Sequence, residues 1–104
     1  GNQTLWVESW SPVPRFHQEI PFPWETNKWY RMKLRVDVSD KDAHIRGKVW
    51  PRDQEEPKAW TVDVVDPFPN REGSPGIYGY SNGTTAKSDG PEIFYDNIQV
   101  LRNE

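Results

Sequence analysis

The carboxylates are the first side chains in this sequence that could carry out catalysis. Glu55 and Glu56 are adjacent in a predicted loop, and Asp63 and Asp66 flank the end of a predicted strand. A retaining glycosidase needs two carboxyl groups about 5–5.5 Å apart and an inverting one about 6.5–9.5 Å apart. Adjacent residues of an extended loop point to different sides, which argues against a catalytic pair. The alternative is that Glu55 and Glu56 are solvated loop charges. No catalytic residue is assigned.

The sequence lacks the residues that nucleophilic catalysis and zinc binding require. The chain has no Cys, which excludes thiol catalysis, disulfides and Cys-based zinc sites. His17 and His44 are isolated and show no zinc-binding spacing. No G-x-S-x-G motif is present, and the turn at residues 73–76 lacks the Lys of a phosphate-binding loop.

The six Trp residues are the best lead to a binding function. Trp6, Trp10 and Trp50 each alternate with apolar neighbours, so they lie on the opposite side of a strand if those neighbours face a core. A planar indole can cover the apolar face of a pyranose while polar groups bond its hydroxyls. With Arg46 and Lys48, these three Trp residues are the predicted ligand-binding face. The alternative is that the indoles belong to the core or pack beneath a partner domain.

The elements that position these side chains are predicted to be β-strands. Residues 29–38 and 44–50 alternate apolar and polar side chains around a turn at residues 39–42, which predicts an antiparallel hairpin. Trp29 and Trp60, where strands begin, and Trp24, in a Pro-rich turn, are predicted to be structural. Further strands are predicted at residues 4–10, 13–20 (with an edge or bulge near its prolines), 59–65, 77–81 and 92–101 (with a bulge at 96–97). The expected fold class is all-β, an antiparallel β-sandwich or jelly roll.

Length and charge limit the classes of protein to consider. The 104 residues allow a single domain. A net charge of −3 without a clustered basic segment argues against a nucleic-acid partner. No stretch approaches ~18 consecutive apolar residues, so no membrane span is predicted.

Four segments, taken in order, carry a resemblance to a known family. They are an aromatic-led strand at residues 29–36, a strand, loop and Trp-led strand at residues 47–60, a Gly-rich turn and short strand at residues 73–79, and a closing strand at residues 94–100. Together they resemble the second half of a concanavalin A-like (laminin G-like) jelly roll. Similar domains occur at the C-terminus of bacterial proteins with PQQ-type β-propeller repeats and in the related 3-keto-disaccharide hydrolase family. The likeness runs from Leu5 to Val100, although a family domain is nearly twice this long.

The resemblance implies that strands are missing. Each sheet of a jelly roll is buried against the other, so half of one leaves apolar faces and open edges. Residues 1–104 are therefore expected to be either a single β-sandwich domain or the C-terminal part of one. In the second case the rest of a longer chain or the strands of a partner would complete it.

The resemblance also implies a metal site and a location. Jelly rolls of this build often hold a structural calcium ion near the final strand, and calcium takes carboxylate and carbonyl oxygens from loops. Asp96 and Asn97, with Asp89 nearby in sequence, are the predicted oxygen donors. The alternative is that Asp96 and Asn97 bind backbone groups at a bulge. No other cofactor is expected, and the implied setting is periplasmic, cell-envelope or extracellular.

Three functions remain open at this point. The first is a non-catalytic β-sandwich module that binds a glycan or a neighbouring protein domain. The second is a structural or assembly subunit of a larger envelope complex. The third is a glycoside hydrolase of the 3-keto-disaccharide type, for which Glu56, Asp63 and Asp66 are the residues to test.

Overall fold

The computed structural model describes residues 3–10, 14–77, 79 and 93–103, with only the backbone of residues 10, 14 and 15. The chain divides into two compact units, and the unit Asn2–Gly73 contains every described strand. The strands are β1 (Thr4–Trp10), β2 (Pro14–Pro21), β3 (Tyr30–Val38), β4 (Ala43–Pro51) and β5 (Val62–Asp66). All neighbours pair antiparallel, in a two-stranded sheet β1-β2 and a three-stranded sheet β3-β4-β5. The predicted all-β antiparallel class is confirmed. Within the described residues, no helix is long and apolar enough to cross a membrane.

The predicted β3–β4 hairpin forms. Its pairing runs from Tyr30 opposite Pro51 to Val38 opposite Ala43. The turn is held by the Ser39 hydroxyl, which accepts the amide hydrogens of Lys41 at 3.2 Å and Asp42 at 3.1 Å. This is the local side chain-to-backbone bonding that makes Ser and Asp frequent in turns.

The alternation of side chains divides the three-stranded sheet into two faces. The apolar face carries Met32, Leu34, Val36 and Val38 of β3, Ala43, Ile45, Gly47 and Val49 of β4, and Val62 and Val64 of β5. The charged face carries Arg31, Lys33, Arg35 and Asp37 of β3, His44, Arg46, Lys48 and Trp50 of β4, and Asp63 and Val65 of β5.

The β1–β2 sheet packs on part of the apolar face. Gly47 is buried, and the Cγ2 atom of Val7 lies 3.9 Å from the position that a Cβ of Gly47 would occupy. Glycine in a strand often marks such a close approach. The pairing shifts register between Ser9 and Trp10, where Trp10 lies opposite Pro14, as the prolines predicted.

The prediction of a strand at residues 92–101 is wrong, because the described residues of this segment do not form one. Residues 93–103 are not in a strand. Asn97 has a left-handed φ of 54°, which interrupts an extended backbone. Ile98 and Val100 are 65% and 69% exposed, so this segment lacks the buried face that would stabilise a strand.

Two other predicted strands also differ. β5 begins at Val62 instead of residue 59, because residues 52–61 form an irregular segment whose side chains contact the charged face. Ile77 and Gly79 are outside any strand, and the rest of the 77–81 prediction lies outside the described residues.

Candidate functional site

The charged face is partly covered by residues 52–61, which lead from β4 to β5. The Thr61 hydroxyl accepts a hydrogen bond from the Val49 amide at 3.2 Å, and the Trp60 ring lies over the cations of β4. Lys48, beneath this segment, is 5% exposed, and Trp50 on the same face is 8% exposed. The predicted ligand residues Arg46, Lys48 and Trp50 are thus brought together, but two of them are buried.

Lys48 makes a complete set of contacts beneath this segment. Its Nζ donates to the Pro57 carbonyl at 2.7 Å and lies 3.3 Å from the Glu56 Oε2. The same nitrogen lies 4.5 Å from the Trp60 ring centroid, within the range of a cation–π interaction. These contacts account for a buried ammonium group, which is otherwise costly.

Two arginines share one carboxylate on the same face as Lys48. The Nε of Arg35 and the Nη2 of Arg46 each lie 2.9 Å from the Asp37 Oδ2. The hydrogen bond from Arg35, followed by that from Arg46, lowers the pKa of Asp37. The hydrogen bond from Lys48 likewise lowers the pKa of Glu56. Arg46 Nε is buried without a hydrogen-bond partner among the described residues, and its guanidinium lies 5.3 Å from the Trp60 ring.

Trp6 lies on the other sheet, away from Trp50. It occupies the face of β1 opposite Val7, so it points away from the three-stranded sheet. Its ring meets His17 edge-on at 5.2 Å, and His17 lies between Glu8 at 3.5 Å and Glu19 at 3.2 Å. The hydrogen bond from His17 lowers the pKa of Glu19. Trp6 and Trp50 therefore do not share a surface, and the side chain of Trp10 lies outside the described residues.

The predicted hydrolase carboxylates each have a structural contact. Asp63 Oδ1 lies 2.5 Å from His44 Nε2, and Glu56 binds Lys48. Asp66 is 4% exposed and accepts a hydrogen bond from the Phe68 amide at 2.9 Å. The hydrolase role of these three carboxylates stays a prediction.

The predicted calcium ligands are only partly described. The Asp96 Oδ1 accepts a hydrogen bond from the Asn97 amide at 2.9 Å, and Asp89 lies outside the described residues. In the part of the chain that the structure describes, no group of three His, Asp or Glu could hold a metal ion. Calcium binding at Asp96, Asn97 and Asp89 stays a prediction.

A small cleft, which no motif of the sequence predicted, lies where β3 begins and β4 ends. This hairpin cleft has a volume of about 210 Å³ and is lined by Asn27, Lys28, Trp29, Arg52 and Asp53. The Arg52 amide donates to the Trp29 carbonyl at 3.0 Å, and the Arg52 guanidinium lies 5.8 Å from the Trp29 ring. Trp29 and Arg52 are the next pair beyond Tyr30 and Pro51 in the observed hairpin, so a pairing register written for the predicted hairpin could have placed them together.

Comparison with known proteins adds no relative. No family model, no curated protein and no solved structure matches this chain. The resemblance to the concanavalin A-like jelly roll therefore stays a prediction.

The ion pairs of the charged face predict an acid-sensitive stability. A carboxylate with a lowered pKa stabilises the fold above its unfolded pKa, about 4 for Asp and Glu, and loses that contribution as the pH falls through the folded value. Asp37→Asn should therefore be less stable than the wild type at neutral pH, and the difference should shrink below pH about 4. Thermal unfolding followed by circular dichroism between acidic and neutral pH measures this. Glu72→Gln, an exposed change elsewhere, is the control; a constant difference between Asp37→Asn and wild type would contradict the prediction.

Proposed function

We propose that this chain is a non-catalytic β-sheet module that binds a protein partner through the β3 side of its apolar face. The partner chemistry is an extended polypeptide segment with apolar side chains, from the rest of a longer chain or from another subunit. Such strands would complete a sandwich of the jelly-roll type. The observation that carries the proposal is the exposure of four apolar side chains on one strand.

These side chains form a continuous row along β3. Met32 is 54% exposed, Leu34 52%, Val36 40% and Val38 49%. Residues of one strand face are neighbours at every second position, so the four form one patch. Contiguous exposed apolar patches in soluble proteins mark interaction sites.

The position of β3 adds a second reason. Among the described residues β3 pairs with β4 alone, at an edge of its sheet. The β1–β2 sheet contacts the apolar face at Gly47 and leaves the β3 row exposed.

The charged face is less suited to bind a partner than the β3 side of the apolar face. Its Lys48, Arg46, Asp37 and His44 are already engaged by other residues of this chain. A structural subunit of an assembly would use the same β3 surface. A periplasmic, cell-envelope or extracellular location belongs to this proposal and rests on the sequence resemblance alone.

Substitution of Leu34 by Lys tests the proposal. Without its partner, the exposed row should cause copies of the chain to associate, and a charge placed in that contact is costly to bury. Sedimentation velocity over a concentration series should show self-association that Leu34→Lys weakens by at least about tenfold, or about 1.4 kcal/mol.

The matched control is Val65→Lys, because Val65 is equally exposed, at 52%, but lies on the charged face. Circular dichroism confirms folding of each variant, and Met32→Lys repeats the test at a second position. Monomeric behaviour at all concentrations, or equal weakening by Val65→Lys, would refute the proposal.

A further inference from the structure

We propose that the hairpin cleft binds one neutral pyranose unit of a glycan, with Trp29 as the stacking platform. This site shares no residue with the β3 row, so the test of sugar binding is independent of the test of the protein partner. Its basis is an exposed indole in a small cleft with polar groups around it.

Trp29 has the exposure that a stacking surface needs. It is 45% exposed, whereas Trp50 is 8% exposed. The Arg52 guanidinium lies 5.8 Å from the ring centroid, within cation–π range, and the Arg52 amide donates to the Trp29 carbonyl, so one contact restrains the indole and the other fixes its backbone. A ring that is held before binding loses little conformational entropy when a ligand stacks on it.

The other lining residues provide the hydrogen bonds that sugar hydroxyls require. Asp53 can only accept, Lys28 and Arg52 can only donate, and Asn27 can do both. A hydroxyl both donates and accepts, so this mixture suits several hydroxyls on one ring. Asn27 has a left-handed φ of 59°, a conformation that Asn tolerates better than most residues.

Size and charge narrow the ligand class. The volume of about 210 Å³ is below the roughly 300–1,000 Å³ of sites for drug-sized ligands, which favours a single ring. The Lys28 ammonium lies 3.5 Å from the Glu25 carboxylate, so the two cations of the wall, Lys28 and Arg52, are balanced by the carboxylates of Glu25 and Asp53. A neutral sugar is therefore favoured over a nucleotide or an acidic sugar.

Titration followed by NMR tests the site. Cellobiose, maltose and lactose are added separately to the ¹⁵N-labelled full chain, with glucuronic acid and adenosine monophosphate as anionic probes. We expect a saturable shift of the Trp29 indole resonance, assigned with Trp29→Phe, with at least one neutral sugar. Trp29→Ala should abolish binding, and Asp53→Asn should weaken it about tenfold.

Two variants separate binding from folding. Trp24→Ala removes an indole that is equally exposed, at 46%, but does not line the cleft, so binding should be unchanged. Asn27→Gly keeps the left-handed backbone without its side-chain amide, so binding should weaken while the melting temperature holds. Absence of a Trp29 shift with every neutral sugar, a shift with the anionic probes alone, or equal loss in Trp24→Ala would each overturn the proposal.

Discussion

Lys48→Met is expected to lower the free energy of unfolding by about 2 kcal/mol, within the 1.5–3 kcal/mol typical of hydrogen bonds to charged groups. The methionine keeps most of the apolar stem but removes the ammonium. The Pro57 carbonyl then loses its 2.7 Å hydrogen bond, and Glu56 and Trp60 lose a cation. Because Lys48 is 5% exposed, water cannot readily replace these contacts.

Lys33→Met is the matched control for this substitution. Lys33 lies on the same face and pairs with the same carboxylate, at 3.5 Å, but its side chain is 50% exposed. Exposed ion pairs contribute about 0–1 kcal/mol, so its loss should be small. Urea unfolding followed by circular dichroism measures both variants. If Lys48→Met and wild type were equally stable, the cost of burying the ammonium would equal the stabilisation that its contacts provide, and the prediction would be contradicted.

Trp50→Ala is expected to cost more, about 3–5 kcal/mol, as is typical of large aromatic deletions in cores. Trp50 is 8% exposed on the charged face, with the Lys48 ammonium 5.9 Å from its ring centroid. Removing the indole leaves a cavity next to a buried charge. Urea unfolding again provides the measurement, and Trp24→Ala, a change at a 46% exposed position, is the control with a loss below about 1 kcal/mol.

This substitution also tests the predicted ligand role of Trp50. A loss of 3–5 kcal/mol approaches the whole stability of a small domain, about 5–15 kcal/mol, so Trp50→Phe keeps the comparison measurable if Trp50→Ala does not fold. We expect Trp50→Phe to lie between wild type and Trp50→Ala. A Trp50→Ala protein that is as stable as wild type but loses sugar binding would show that Trp50 is a ligand platform and not a packing residue.

The local sequence pattern predicted a strand correctly where its pairing partner is close to it in the sequence. β3 and β4 alternate cleanly and are joined by a Ser- and Asp-rich turn, so their pairing and faces follow from nearby residues. The same rule failed at residues 93–101. There the alternation is present, but a strand also needs a partner edge and a face to bury, and no described residue of that segment is in a strand.

In the candidate sites, too, the sequence predicted which side chains share a face but not which of them are covered. Period-two alternation correctly placed Trp50, Lys48 and Arg46 together, opposite Ile45 and Val49. Alternation does not show what covers a face. Residues 52–61 cover Lys48, and Trp50 on the same face is 8% exposed. Trp29 was predicted to be structural because it begins a strand, yet it lines an open cleft with Arg52, more than twenty positions away in the chain.

The sequence by itself determined the all-β class, the β3–β4 hairpin and which side chains share a face. These depend on interactions between neighbouring residues, and side-chain alternation records them directly. Only the tertiary structure decided which faces are covered: the β1–β2 sheet lies on Gly47, residues 52–61 cover Lys48, and the apolar row of β3 stays exposed. Coverage depends on how other segments of the chain fold over a face, and side-chain alternation within a strand carries no information about that.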